Sequence, residues 1–272
     1  GRTVDEATDA YDTVDWLVKN VANNNGRVGV VGVSYPGFLA TMAGINPHAA
    51  VKAISPQAPM TDTWLGDDFF HQGAFRLSYG FEYAGDLELS KDESVPVPIG
   101  SWDVYDWYLN LGPLANVEAK LFKGKVPTWT AFTQHPTYDA YWQARAVQRH
   151  LEKVAVPTMI VGGWWDQEDF YGPLMIYREL EKHDAQSRNF LVVGPWRHGG
   201  WRNGPGDRLG NIGFGAPTLA GTSRSHGAPL GAAEVAGCKQ ALGLDPAQFF
   251  HVDEAVVAAA LKRIVGAVPP PA

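Results

Sequence analysis

Cysteine is nearly absent from this sequence. Cys238 is the single one in 272 residues, which excludes an internal disulfide, a cysteine-based zinc site and a redox pair. Basic clusters are missing too. The formal net charge is −7 and no run of Lys or Arg reaches four residues, so the basic surface that a phosphate backbone requires is lacking and nucleic acid is not an expected partner. No apolar run approaches the roughly eighteen residues of a membrane span, and no membrane partner is expected. The first ten residues form neither a signal nor a transit peptide. The chain begins with Gly1 rather than Met, which reads as a piece of a longer protein and leaves its compartment open. Aromatic residues, by contrast, are plentiful: ten Trp, ten Tyr and twelve Phe beside 19% charged residues suit an organic ligand better than a polyanion.

The order of patterns points to an α/β fold. Thr3 to Asn20 reads as an amphipathic helix with Ala7, Ala10, Tyr11, Val14, Leu17 and Val18 on one stripe. Arg27 to Val33 is a short β-branched run of the kind buried on both faces of a parallel sheet, and it leads into Ser34. Val51 to Ser55 offers the next strand. From about 61 to 150 the text is rich in aromatics, Gly and Pro without a βαβ rhythm, and is expected to be a mostly helical insertion. Alternation returns with a strand at Thr158 to Gly163, a helix at Phe170 to Lys182 and a strand at Asn189 to Val193. Residues 1–60 and 151–215 are therefore expected to form one parallel α/β catalytic domain. Residues 216–272, Ala/Gly-rich with a short helix at Ala233 to Leu242, are expected to form a separate tail.

Gly32-Val33-Ser34-Tyr35-Pro36-Gly37 has the form of a nucleophile elbow. A strand turns sharply into a helix there, and small neighbours let the serine Oγ project while the next N–H, that of Tyr35, faces a developing oxyanion. A bare Gly-Ser turn would look similar. The serine needs a base, and His48, His71, His135, His150 and His183 lie in or beside expected helices and loops that no strand delivers to a common edge. His198 follows the Asn189 to Val193 strand through Gly194-Pro195-Trp196-Arg197, at the strand end where open α/β sheets place their chemistry. Asp166 follows the Thr158 to Gly163 strand in the same way, giving the chain order Ser, Asp, His; Glu168 and Asp169 are the other acids that could orient the base.

These blocks, together with Asp12-Thr13-Val14-Asp15-Trp16-Leu17 and Gly163-Trp164-Trp165-Asp166-Gln167-Glu168-Asp169, resemble the α-amino-acid ester hydrolases, within the wider group of cocaine esterase and the X-Pro dipeptidyl-peptidases. The resemblance covers about residues 1–215. It implies an α/β-hydrolase in which Ser34, Asp166 and His198 form a triad working through an acyl-enzyme, with no metal or organic cofactor. It also implies that Asp68, Glu168 and Asp169 form a carboxylate cluster for the substrate's α-ammonium, and that Trp164 and Trp165 wall the acyl pocket. The partner implied is a small α-amino acyl ester or amide, with a β-lactam amine as a possible acyl acceptor. A general esterase or X-Pro peptidase of the same group, or a silent fragment, is the alternative, and a homo-oligomer stays open.

The chain also departs from that family. Only 33 residues precede Ser34, enough for one helix and one strand, so the first half of the family's sheet and its upstream oxyanion donor are expected to be absent, leaving Tyr35 as the one donor in view. The stretch from Gly215 through Gly231, including His226, resembles transketolase, as does Ala241-Leu242-Gly243. The domains that would bind thiamine diphosphate are not recognisable, and no cofactor is carried over.

Overall fold

The computed structural model describes residues 5–66, 68–77, 79–100, 103–203 and 206–213, and residues 236, 239, 240 and 245 besides. The chain divides into two compact units, 1–203 and 204–272.

In the first unit α1 spans Glu6–Asn20. It starts after the expected Thr3 because Asp5 is extended and its carboxylate accepts the Thr8 N–H at 2.9 Å, which makes Asp5 the N-cap. Strand β1 (Val28–Val33) leads through Ser34 into α2 (Tyr35–Met42), and β2 (Val51–Gln57) follows. The pattern suggests that β2 stops before Pro56, yet the strand continues to Gln57. Ile54 N–H reaches the Pro157 carbonyl and Ala58 N–H the Val161 carbonyl; between them Pro56 has no N–H to give Met159. The Ser55 hydroxyl donates to the Met159 carbonyl instead, at 2.9 Å, so a central strand tolerates its proline.

The insertion carries two short antiparallel strands, β3 (Phe70–His71) and β4 (Ala74–Phe75), then helices α3 (Gly80–Glu88), α4 (Tyr105–Leu111), α5 (Pro127–Gln134) and α6 (Ala140–Arg145). Its aromatics form its own core: Phe81, Phe122 and Trp129 in one cluster, Phe69, Phe70, Phe132 and Trp142 in another. Buried Asp62 joins its two ends. One carboxylate oxygen accepts the Trp64 and Leu65 N–H groups, the other the Tyr138 hydroxyl at 2.6 Å and the Gln148 amide at 3.2 Å.

The sheet resumes with β5 (Thr158–Gly163), α7 (Tyr171–Glu181) and β6 (Asn189–Gly194). All four long strands are parallel, in the order β1-β2-β5-β6. Ile160, Ile176 and Leu180 pack with Phe38 and Met42 between the sheet and its helices, and Val14 of α1 packs with Val51, Ile54 and Val156. Because these strands run parallel, the C-terminal ends of β1, β5 and β6 lie along one edge of the sheet, and Ser34, Asp166 and His198 follow those ends.

In the second unit β7 (Arg208–Leu209) and β8 (Ile212–Gly213) form an antiparallel pair. His226 and most of the helix expected at 233–242 lie outside the described residues. Among the described residues no helix is long and apolar enough to cross a membrane.

Candidate active site

The elbow is built from the strain that its glycines permit. Ser34 has φ 66° and ψ −128°, a conformation that an L-residue adopts only when its surroundings hold it there. A Cβ on Gly32 would run into the Pro36 carbonyl, and one on Gly37 into the Gln57 carbonyl. The Ser34 N–H is fixed by the Gln57 carbonyl at 2.9 Å. Tyr35 is the first residue of α2, so its N–H has no acceptor within the helix.

Two loops bring the acid and the histidine together. Trp164 N–H bonds the Gly194 carbonyl and Trp165 N–H the Trp196 carbonyl, at 2.8 and 3.0 Å, so the turns after β5 and β6 are laced side by side. His198 Nδ1 lies 2.8 Å from Asp166 Oδ2. The other oxygen of Asp166 accepts the N–H groups of Glu168 and Asp169, at 2.9 and 3.0 Å, so one buried carboxylate orients both the histidine and the acidic loop. The next residue, Gly199, takes φ 67° and packs toward Val33, which brings this loop to the elbow strand. The Trp201 indole N–H donates to the Gln57 side chain at 2.7 Å, a second tie between the histidine loop and the residue that holds Ser34.

Asp68, a hundred residues upstream of the adjacent pair Glu168 and Asp169, joins them around this histidine. Asp68 and Asp169 are 2% and 0% exposed. Glu168 Oε2 stands 3.7 Å from His198 Nε2, and Asp169 Oδ2 4.0 Å from Nδ1. Oδ1 of Asp68 is buried without a hydrogen-bond partner. Burial, and after it the Glu168 charge, push Asp68 up to about 6. For His198 burial alone acts downward, but the Asp166 hydrogen bond and the charges of Asp166, Glu168 and Asp68 outweigh it and hold the imidazole above its ordinary value. No hydrogen bond joins Ser34 Oγ to His198 among the described residues.

The residue pattern did not reveal the wall behind the acids. Tyr79 donates to Glu168 Oε2 at 3.3 Å, Tyr83 stacks on Tyr79, and Arg76 lies over the Tyr79 ring while donating to the Asp68 carbonyl. Burial, and then the Asp68 charge, push Tyr83 up to about 12 and Tyr79 further, so both phenols stay protonated. These residues belong to the insertion, where no periodicity marks a site. Gln57 was legible in principle, because it ends the strand that pairs with the elbow strand, in register with Val33. Trp165, expected to wall the pocket, is 50% exposed, and the Trp164 ring lies tilted against Phe170 with centroids 6.0 Å apart. A cleft of about 840 Å³ opens between α1, α2 and the insertion, lined by Tyr35, Phe38, Met60, Phe69, Phe132 and Trp142.

The sequence pattern of the X-Pro dipeptidyl-peptidase (S15 family) matches residues 1–200. The structure of an aminopeptidase from a marine sediment Thaumarchaeota archaeon is 40% identical, with a TM-score of 0.75 over 83% of this chain and 37% of that one. The structure of an α-amino acid ester hydrolase is also 40% identical, with a TM-score of 0.72 over 78% of this chain and 34% of that one. Cocaine esterase from Rhodococcus sp. is 29% identical over 208 residues, 72% of this chain and 35% of that protein. The chain therefore spans about a third of the length of these relatives. Residues 209–268 match the thiamine diphosphate binding domain of transketolase, a stretch that lies mostly outside the described residues.

Proposed function

The chain belongs to the X-Pro dipeptidyl-peptidase (S15) family, and from that premise we propose that it is a serine hydrolase and acyltransferase that opens esters and amides of α-amino acids. Ser34 Oγ attacks the acyl carbonyl while His198 Nε2 takes the hydroxyl proton, and the carbonyl oxygen becomes an anion held by the Tyr35 N–H. Collapse of the tetrahedral adduct expels the alcohol or amine, to which His198 returns the proton, and leaves an acyl-enzyme on Ser34. Water, deprotonated by His198, then releases the acid. An amine such as that of a β-lactam nucleus can take the acyl group in place of water. Asp166 keeps the imidazole in the tautomer with Nδ1–H and stabilises the imidazolium formed at each transfer.

The observation that carries the substrate class is the acid trio beside the base, with Asp68 and Asp169 buried, Glu168 partly exposed and Asp68 Oδ1 lacking a partner. A substrate ammonium loses hydration on entering such a pocket, and only nearby anions offset that loss. An α-amino amide, the kind of bond an aminopeptidase cleaves, presents the same ammonium as an α-amino ester, so one site admits both. The nucleophile is tested by labelling with a fluorophosphonate. Stoichiometric labelling that is lost in Ser34→Ala is expected, and labelling that persists in that variant overturns the assignment.

A further inference from the structure

An acid stands beside the catalytic nitrogen of His198. Nε2 is the atom that must face Ser34 Oγ, yet its ion-pair contact is Glu168 Oε2 at 3.7 Å, and no hydrogen bond to Ser34 is formed among the described residues. Glu168 is held in that place from two sides. Its N–H is bonded to Asp166, and its Oε2 accepts the Tyr79 hydroxyl at 3.3 Å, backed by the stacked Tyr83. A single carboxylate oxygen is thus shared between the base and the pocket in which the ammonium of the proposed substrate would sit.

We propose that Glu168 gates the base: in the empty site its carboxylate holds Nε2 of His198 away from Ser34, and the substrate's ammonium releases the imidazole by taking Glu168 as its own counter-ion. The inference rests on the ammonium-site reading above and adds a consequence to it. Binding of the correct substrate not only fills a pocket but arms the nucleophile, because a cation among the acids both competes for Oε2 and cancels the field that favours imidazolium. The groups facing His198 are Asp166, Glu168, Asp169 and, from the insertion, Asp68, with Arg76 and the protonated Tyr79 and Tyr83 behind them; anions dominate this shell. An ester lacking the amine leaves the gate closed, so discrimination falls on kcat as well as on KM.

The test reads the histidine directly and does not depend on turnover. The imidazole of His198 is titrated by NMR in the full chain, alone and with saturating 2-phenylglycinol, which carries the amine but no scissile ester, or 2-phenylethanol, which lacks the amine. The amine is expected to lower the His198 pKa by about one pH unit, an effect the alcohol does not produce. In Glu168→Gln the histidine is expected to titrate lower from the start and to respond at least threefold less to the amine. Binding of phenylglycinol with an unchanged His198 pKa overturns the gate and leaves the ammonium site standing. Absence of any amine-dependent binding overturns the ammonium site and the gate with it.

Discussion

Single residues decide the chemistry, and Asp166 carries two duties that separate cleanly in a variant. It orients His198 through one oxygen and the Glu168–Asp169 loop through the other. Asp166→Asn can still accept the loop N–H groups but presents the wrong partner to Nδ1–H, so kcat is expected to fall by about 10⁴-fold while the fold persists; stopped assays beside a melting curve check both halves. Asp68 makes a claim about stability. Its folded pKa of about 6 lies above the 3.8 of an unperturbed carboxyl, so the folded chain binds more protons than the unfolded one between those values. Stability therefore falls as pH rises from about 4 to about 6 and remains lower above that range. Asp68→Asn is expected to stabilise the protein at pH 7.5 by up to about 3 kcal/mol, with the gain vanishing near pH 4, and to weaken aminated ligands. Urea unfolding at the two pH values measures it.

Among elements, those with strong periodicity and bounded ends were legible: Thr158–Gly163 was read to the residue, and α7 and β6 to within one. The elbow was legible because its glycines answer to sterics that a sequence displays. Gly37→Ala places a methyl against the backbone carbonyl of Gln57, which cannot swing aside as a side chain would. The expected cost is about 1–3 kcal/mol, together with loss of fluorophosphonate labelling, because the carbonyl that must shift is the one holding Ser34 N–H. What was not legible follows from contacts that join distant text. Pro56 reads as a strand end, and only the Ser55 hydroxyl reaching the Met159 carbonyl explains why β2 runs on. Tyr79, Tyr83 and Arg76 lie in an insertion whose aromatics all look alike in sequence, and their position behind Asp68 and Glu168 depends on how that insertion folds back on the sheet.

At the scale of the whole molecule, the sheet presents apolar side chains to solvent among the described residues. Val31 is 66% exposed, and Met159, Phe190 and Val192 are exposed as well, while the outer edge of β1 carries no strand among the described residues. Parallel sheets are ordinarily buried on both faces, and an apolar edge of this kind pairs readily with another. The chain is expected to self-associate with rising concentration and Val31→Lys to reduce that association, as sedimentation velocity would report; a wild-type chain that stays monomeric throughout contradicts it. The central claim concerns the site as a unit, nucleophile and acids together. The most direct measurement compares hydrolysis of phenylglycine methyl ester with that of phenylacetic acid methyl ester, with Ser34→Ala as control. Turnover that depends on Ser34 and favours the aminated ester by at least tenfold is expected, whereas equal turnover of the two esters, or none from a folded chain, contradicts the assignment of an ammonium-reading serine hydrolase to this chain.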